Sequence, residues 1–199
     1  MTVVEPAHWE AHFASGRGFR PVDAQEADLL AEAVRPGPGT RALDVGCGLG
    51  GYAAALARLG CRTWAVDRAA SAVAAVRDRY TDLEPSLTVG LLDFNDGAAV
   101  SARLPRASFD LVTMRLVVAF LPDLPAVAAR VRGLLSPGGA WVVTTPLTGR
   151  LPAGRTGIGL APDDVAALTD GWPRGHWYDL QGGLRCFVLS DAGPVPGRT

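Results

Sequence analysis

The sequence contains no lysine: all 19 of its basic residues are arginine. That absence excludes a P-loop lysine, a Schiff-base lysine and a lysine general base. Isoleucine is almost missing too, with Ile158 alone. No apolar run approaches the length of about 18 residues that a membrane-spanning helix needs. The first ten residues, Met1 to Glu10, lack the basic-then-apolar layout of a secretory signal. Three cysteines, Cys47, Cys61 and Cys186, are scattered and odd in number. They suggest neither a disulfide framework nor a metal cluster, and a reducing cytoplasm is the expected location. The 20 acidic residues leave a formal charge of −1, without the positive field that a general nucleic-acid binder requires.

What is present suits one α/β domain of 199 residues, 48% hydrophobic and 20% charged. Residues 1–38 read as a polar and aromatic leader, and 39–199 as the core. Within the leader, Ala27, Leu30, Ala31 and Val34 recur at helical spacing, with Asp23 as cap and Glu26 three residues on. The segment Arg35-Pro-Gly-Pro-Gly-Thr40 then stops the helix.

Strands and helices alternate afterwards. Strands are expected at 41–45, 61–66, 87–92, 109–114 and 140–145. Helices are expected at 51–59, 70–80 (capped by Ser71), 124–135 and 162–168. Such alternation means βαβ units and a parallel sheet. Residues 176–180 and 184–189 flank Gln181-Gly182-Gly183, a hairpin signal, so antiparallel strands should close the sheet.

The most informative stretch is Leu43-Asp44-Val45-Gly46-Cys47-Gly48-Leu49-Gly50-Gly51, which follows a strand and opens a helix. Glycines there allow a sharp turn and close approach to a ligand, beside the free N–H groups of a helix start. The next strand ends on Asp67, 21 residues beyond Gly46. That is near the spacing of about 20 for an acid gripping ribose hydroxyls. Its charge disfavours a 2′-phosphate, and its plainer role is to cap the next helix. Asp44, just before the glycines, sits badly beside a pyrophosphate. It suits a cation carrying an ammonium and a sulfonium, such as S-adenosylmethionine.

Leu-Asp-Val-Gly-Cys-Gly-Leu-Gly at 43–50 resembles the first motif of the class I S-adenosylmethionine-dependent methyltransferases. Asp67 is similar to the ribose-binding acid of the second motif. Leu91-Leu92-Asp93-Phe94 is similar to the third, where an acid meets the adenine amino group and its neighbour covers the ring. Phe109-Asp110-Leu111-Val112 through Leu121-Pro122 resembles the fourth, and Leu134-Leu135-Ser136-Pro137-Gly138-Gly139 the turn before the fifth strand. The resemblance covers about residues 40–146 and the terminal hairpin. It implies a Rossmann-like sheet of about seven strands in the order 3-2-1-4-5-7-6, strand 7 antiparallel, with the cofactor at the carboxyl ends of strands 1 to 4. The length and layout are also loosely similar to the small tellurite-resistance and thiopurine-type methyltransferases.

The cofactor-binding set expected from these motifs is Asp44, Gly46, Cys47, Gly48, Asp67, Arg68, Asp93 and Phe94. Arg115, after the fourth strand, orients an anionic acceptor or the methionine carboxylate, or else forms a surface salt bridge. Trp9, Phe13 and Phe19 of the leader shield the sulfonium as a lid, with Arg17 or Arg20 on the carboxylate, or else only pack the leader down. His12 and His176 are the candidate bases, should the acceptor need one. His8 and His12 share a helix face, but no third ligand accompanies them and no metal is expected. The connection 146–160 shapes the acceptor pocket or is a surface loop.

The expected activity is methyl transfer to an O, N, S or C nucleophile of a small molecule, in specialised metabolism, with neither nucleic acid nor membrane as partner. Two other classes stay open. An NAD-dependent oxidoreductase would use the same glycines and Asp67. A non-methylating S-adenosylmethionine binder would hold the cofactor and transfer nothing.

Overall fold

Strands that carry apolar residues on both faces are stable only where helices cover the sheet on each side. The computed structural model of the protein describes residues 5–191 and shows that arrangement. Strands β1 (Arg41–Val45), β2 (Arg62–Asp67), β3 (Leu87–Leu91), β4 (Phe109–Arg115) and β5 (Leu135–Pro146) run parallel. β6 (Arg174–Asp179) and β7 (Leu184–Ser190) form the terminal hairpin, and β7 is antiparallel to both β5 and β6. The sheet order is β3-β2-β1-β4-β5-β7-β6, the expected Rossmann-like winding.

Side chains alternate across a strand, so each strand feeds two cores. Leu43, Val45, Val112 and Met114 face α5 (Gly97–Arg103), α6 (Leu124–Leu134) and α7 (Pro162–Thr169). Ala42, Leu111 and Val142 face the other side, against Leu30 of α2 (Ala24–Val34) and Tyr52 and Leu56 of α3 (Gly51–Arg58). Helix α4 (Ala70–Arg79) joins that second side through Val76. Leu30 is fully buried, so α2 belongs to the core even though its sequence lies in the leader.

Several elements differ from the sequence expectation. The leader holds a further helix, α1 (Pro6–Ala14), and α5 stands where no element is expected. Its cap is Asp96, which accepts from the Ala99 N–H at 2.9 Å. β5 begins at Leu135 rather than at 140. Its pairing with β4 slips between Phe109↔Leu135 and Leu111↔Ala140, so the expected turn Ser136–Gly139 is a bulge inside a longer strand. Ser71 does not cap α4, whose cap position is Ala69. Instead the Ser71 N–H donates to the Glu10 carboxylate at 3.1 and 3.3 Å, and its hydroxyl donates to the Glu10 carbonyl at 3.1 Å. A carboxylate at a helix start is favoured by the helix dipole, so Glu10 fastens α1 to α4.

A second fastening lies on the same face, over β4. Asp23 caps α2 as expected, accepting from the Glu26 N–H at 2.8 Å. The Glu26 side chain does not return to complete a capping box. It takes the Arg115 guanidinium in a two-point grip, 2.7 Å from Nε and 2.9 Å from Nη2. Arg115 also donates to the Arg20 carbonyl at 2.9 Å and the Pro21 carbonyl at 3.4 Å. The pair is buried, with side chains 9% and 3% exposed. Removing one partner leaves the other charge uncompensated. Glu26→Ala is expected to lower unfolding stability by about 3–5 kcal/mol in a urea titration. A loss below about 1 kcal/mol, the scale of a surface pair, would mean the grip is dispensable.

Candidate functional site

The winding direction of the sheet reverses between β1 and β4, and such a point leaves a crevice outside the carboxyl ends of the strands. A cavity of about 580 Å³ opens there. The glycine loop forms its floor. Gly46, Gly48 and Gly50 have φ of +67°, +52° and +79°, a region that favours glycine. A Cβ at Gly46 would stand 2.5 Å from the Val117 side chain, and one at Gly48 3.1 Å from the Phe13 ring. The loop is therefore closely approached by the segment after β4 and by the leader.

Two aspartates flank the loop in different states. Asp67, 5% exposed, accepts from the Gly48 N–H at 2.8 Å and the Ala69 N–H at 2.9 Å. Burial raises its pKa, and those backbone bonds oppose the rise. The carboxylate thus closes a local turn onto Ala69 without capping α4, and it also borders the cavity. Lone pairs remain on its oxygens for further donors. Asp44, 2% exposed, accepts from the Thr113 hydroxyl at 2.7 Å through Oδ1, while Oδ2 is buried with no partner. Burial pushes its pKa up to about 7, against the Thr113 bond and the Arg115 charge, and the Asp67 charge adds to the rise. Asp44 borders the cavity, and a buried carboxylate short of partners there is a place for a donor or a cation.

The far end of the cavity is built by Arg68, Asp93 and Phe94. Arg68 pairs with Asp93 at 3.2 Å, and Asp93 also accepts from the Asn95 N–H at 2.9 Å. Phe94 is 4% exposed and packs in the core while still bordering the cavity, with the Arg130 guanidinium 5.3 Å from its ring centre. Cys47 also borders the cavity, and burial pushes its thiol pKa well up, so it stays a protonated thiol.

Leader aromatics roof the crevice. Trp9, Phe13 and Phe19 all line the cavity, and Trp9 meets Phe120, beyond β4, edge to face at 4.9 Å. Arg20 lines it too, but donates to Asp23 at 2.7 Å and to the Gln181 carbonyl.

Placement bears on the other expected residues too. Arg115 borders the cavity, but its guanidinium is held in a buried pair with Glu26, neither a surface salt bridge nor a cation free to meet an anion. Neither His12 nor His176 is among the cavity-lining residues. The His12 ring stacks on Phe19 at 5.1 Å, and burial, with help from Arg17 and His8, lowers its pKa. His176 is exposed on β6, the strand at the far edge of the sheet. The 146–160 connection folds into short 3-10 turns and does not reach the cavity. Sequence reasoning missed Thr113 and Glu10. Thr113 is opposite Asp44 in the β1–β4 register, a fact available only once the pairing is known.

Residues 43–143 match the family model described as a methyltransferase domain. The chain is 37% identical over 161 residues to a nocamycin O-methyltransferase from Saccharothrix syringae, covering 75% of this chain and 55% of that protein. It is 30% identical over 150 residues to an uncharacterised methyltransferase of Mycobacterium tuberculosis, covering 75% of this chain and 71% of that one. The chain thus spans little more than half the length of the first of these relatives. Among solved structures, a SAM-dependent methyltransferase from Aquifex aeolicus superposes with a TM-score of 0.68 at 14% identity, covering 94% of this chain and 98% of that one, which shows a shared fold. Glycine loop, acid-tipped second strand and sheet order agree with the family match, and the chain belongs to the class I S-adenosylmethionine-dependent methyltransferases.

Proposed function

We propose that the protein transfers a methyl group from S-adenosylmethionine to an oxygen nucleophile of a small molecule in the cytoplasm. The observation that carries this is the orphaned, buried Asp44 Oδ2 in a crevice whose other acid, Asp67, stands one strand away. The oxygen acceptor is supported by the O-methyltransferase name of the Saccharothrix relative. Among the described residues no helix is long and apolar enough to cross a membrane.

The residues present fit the cofactor. Asp44 holds its ammonium, the Gly46–Gly48 backbone cradles the amino-acid part, and Asp67 takes the ribose hydroxyls. Arg68, Asp93 and Phe94 border the purine. When bound, S-adenosylmethionine supplies an activated methyl carbon: an acceptor lone pair forms the new bond as the S–C electron pair passes to sulfur.

The chain's own work is alignment and exclusion of water. Trp9, Phe13 and Phe19 cover the reacting atoms, and Glu10 and Arg115 hold that cover in place. Among the described residues, no histidine lines the cavity.

Isothermal titration with S-adenosylhomocysteine against NAD tests the assignment. S-adenosylhomocysteine should bind and NAD should not; the reverse result would overturn it. Asp67→Ala should weaken S-adenosylhomocysteine binding by about 1–3 kcal/mol, the worth of charge-assisted hydrogen bonds. Unchanged affinity in a folded variant would remove the ribose role.

Asp44 also makes binding pH-dependent. In the free protein it is protonated below about pH 7. An ammonium partner favours the ionised form, so binding below that pH must release a proton. Affinity for S-adenosylhomocysteine should level off above about pH 7 and fall below it, by up to about tenfold per pH unit. A flat profile from pH 6 to 8 would take Asp44 out of the ammonium site.

A further inference from the structure

Resting on that reading and deepening it, we infer that the methyl acceptor is an apolar, ring-bearing small molecule with no anionic handle, seated against Phe19, Trp9, Val22 and Phe120 beneath the leader. The donor's contact points run in sheet order, from Asp93 and Phe94 after β3, through Asp67 on β2, to Asp44 on β1. The next strand is β4. Space beyond the donor's reacting end therefore lies over the end of β4 and under the leader, within the same cavity.

The side chains around that space are of one kind. Leu116, Val117 and Phe120 follow β4, and Trp9, Phe19 and Val22 come from the leader; all six line the cavity. Trp9 stands 5.8 Å from Phe19 and 4.9 Å from Phe120, ring centre to ring centre. Aromatic walls of this sort favour flat rings, which they meet edge-on or offset. Phe19 is 46% exposed, one of three large hydrophobic side chains left open among the described residues, and the one of them that borders the cavity. Its open face is apolar surface that an apolar ligand would cover.

Charge disfavours the alternatives. The cations at this end are Arg20 and Arg115, and each is matched: Arg20 by Asp23 at 2.7 Å, Arg115 by Glu26 at 2.7 and 2.9 Å. An anionic group on the acceptor would have to displace the buried Glu26 from Arg115, which is a poor exchange, or compete with the exposed Asp23 for Arg20. A cationic acceptor would need a carboxylate of its own. The one buried carboxylate with a free oxygen here is Asp44, which lies at the donor's end.

The test uses the full chain saturated with S-adenosylhomocysteine, titrated calorimetrically with 2-naphthol, with the same ring bearing a sulfonate, and with tyramine. 2-Naphthol should bind at least about tenfold more tightly than either charged phenol. Phe19→Ala should weaken naphthol binding about fivefold or more, and Phe19→Leu should restore most of it. Each variant is titrated at an S-adenosylhomocysteine concentration that saturates it, so that a change in donor affinity is not read as a change in naphthol affinity. Because Phe19 is half-open to solvent, neither substitution threatens folding. Preference for the sulfonate or for tyramine, no naphthol binding, or indifference to Phe19→Ala would each overturn the inference. Failure of S-adenosylhomocysteine itself to bind would instead sink the methyltransferase reading, and this inference with it.

Discussion

A doubly wound sheet cannot cover the crevice where its winding reverses, because successive crossovers leave that point in opposite directions. Here the reversal lies between β1 and β4, and everything distinctive in the molecule answers to it. The leader supplies the missing cover, and two glutamates fasten it, one to each half of the sheet. Glu10 meets the start of α4 through backbone donors, where the helix dipole helps. Glu26 meets Arg115 through a guanidinium fork, where geometry helps. The cover is thereby tied to both halves of the sheet, and its aromatic underside is set over the glycine loop.

Acids in this chain show how location decides their work. Asp110, at the base of β4, accepts from the Arg41 guanidinium at 3.0 and 3.2 Å and from the Ser136 hydroxyl at 2.7 Å. Burial pulls its pKa upward, but those partners win and hold it near about 2, so it is a fixed structural anion. Asp44 has one hydroxyl partner and deeper burial, and the balance tips the other way. Stability alone would favour a satisfied or apolar side chain at that depth. A buried acid left half-satisfied in a crevice is the kind of local cost that function explains.

Much of this was legible in the sequence because it depends on local rules. Glycine turn chemistry, strand-length apolar runs and the acid at the tip of β2 need no tertiary context. The short helix α5 escaped because Gly97–Arg103 holds too few turns to show a helical period. The bulge in β5 escaped because Pro137, Gly138 and Gly139 carry the chemistry of a turn, and only pairing with β4 reveals a strand. The buried pairing of Arg115 with Glu26 was not legible because the two lie 89 residues apart. His12 and His176 drew notice as the usual proton carriers, and residue type says nothing of which face of an element a side chain occupies. The two-glutamate fastening likewise joins residues that no local pattern connects.

The Arg115 guanidinium holds the cover by the backbone carbonyls of Arg20 and Pro21 as well as by Glu26. Main-chain oxygens are common to every residue type, so this attachment is indifferent to which side chains hang beside it. Phe19 and Val22 flank the clasp without taking part in it. The aromatic ceiling of the crevice can therefore be refurnished, by evolution or by an engineer, while the rafters stay where they are.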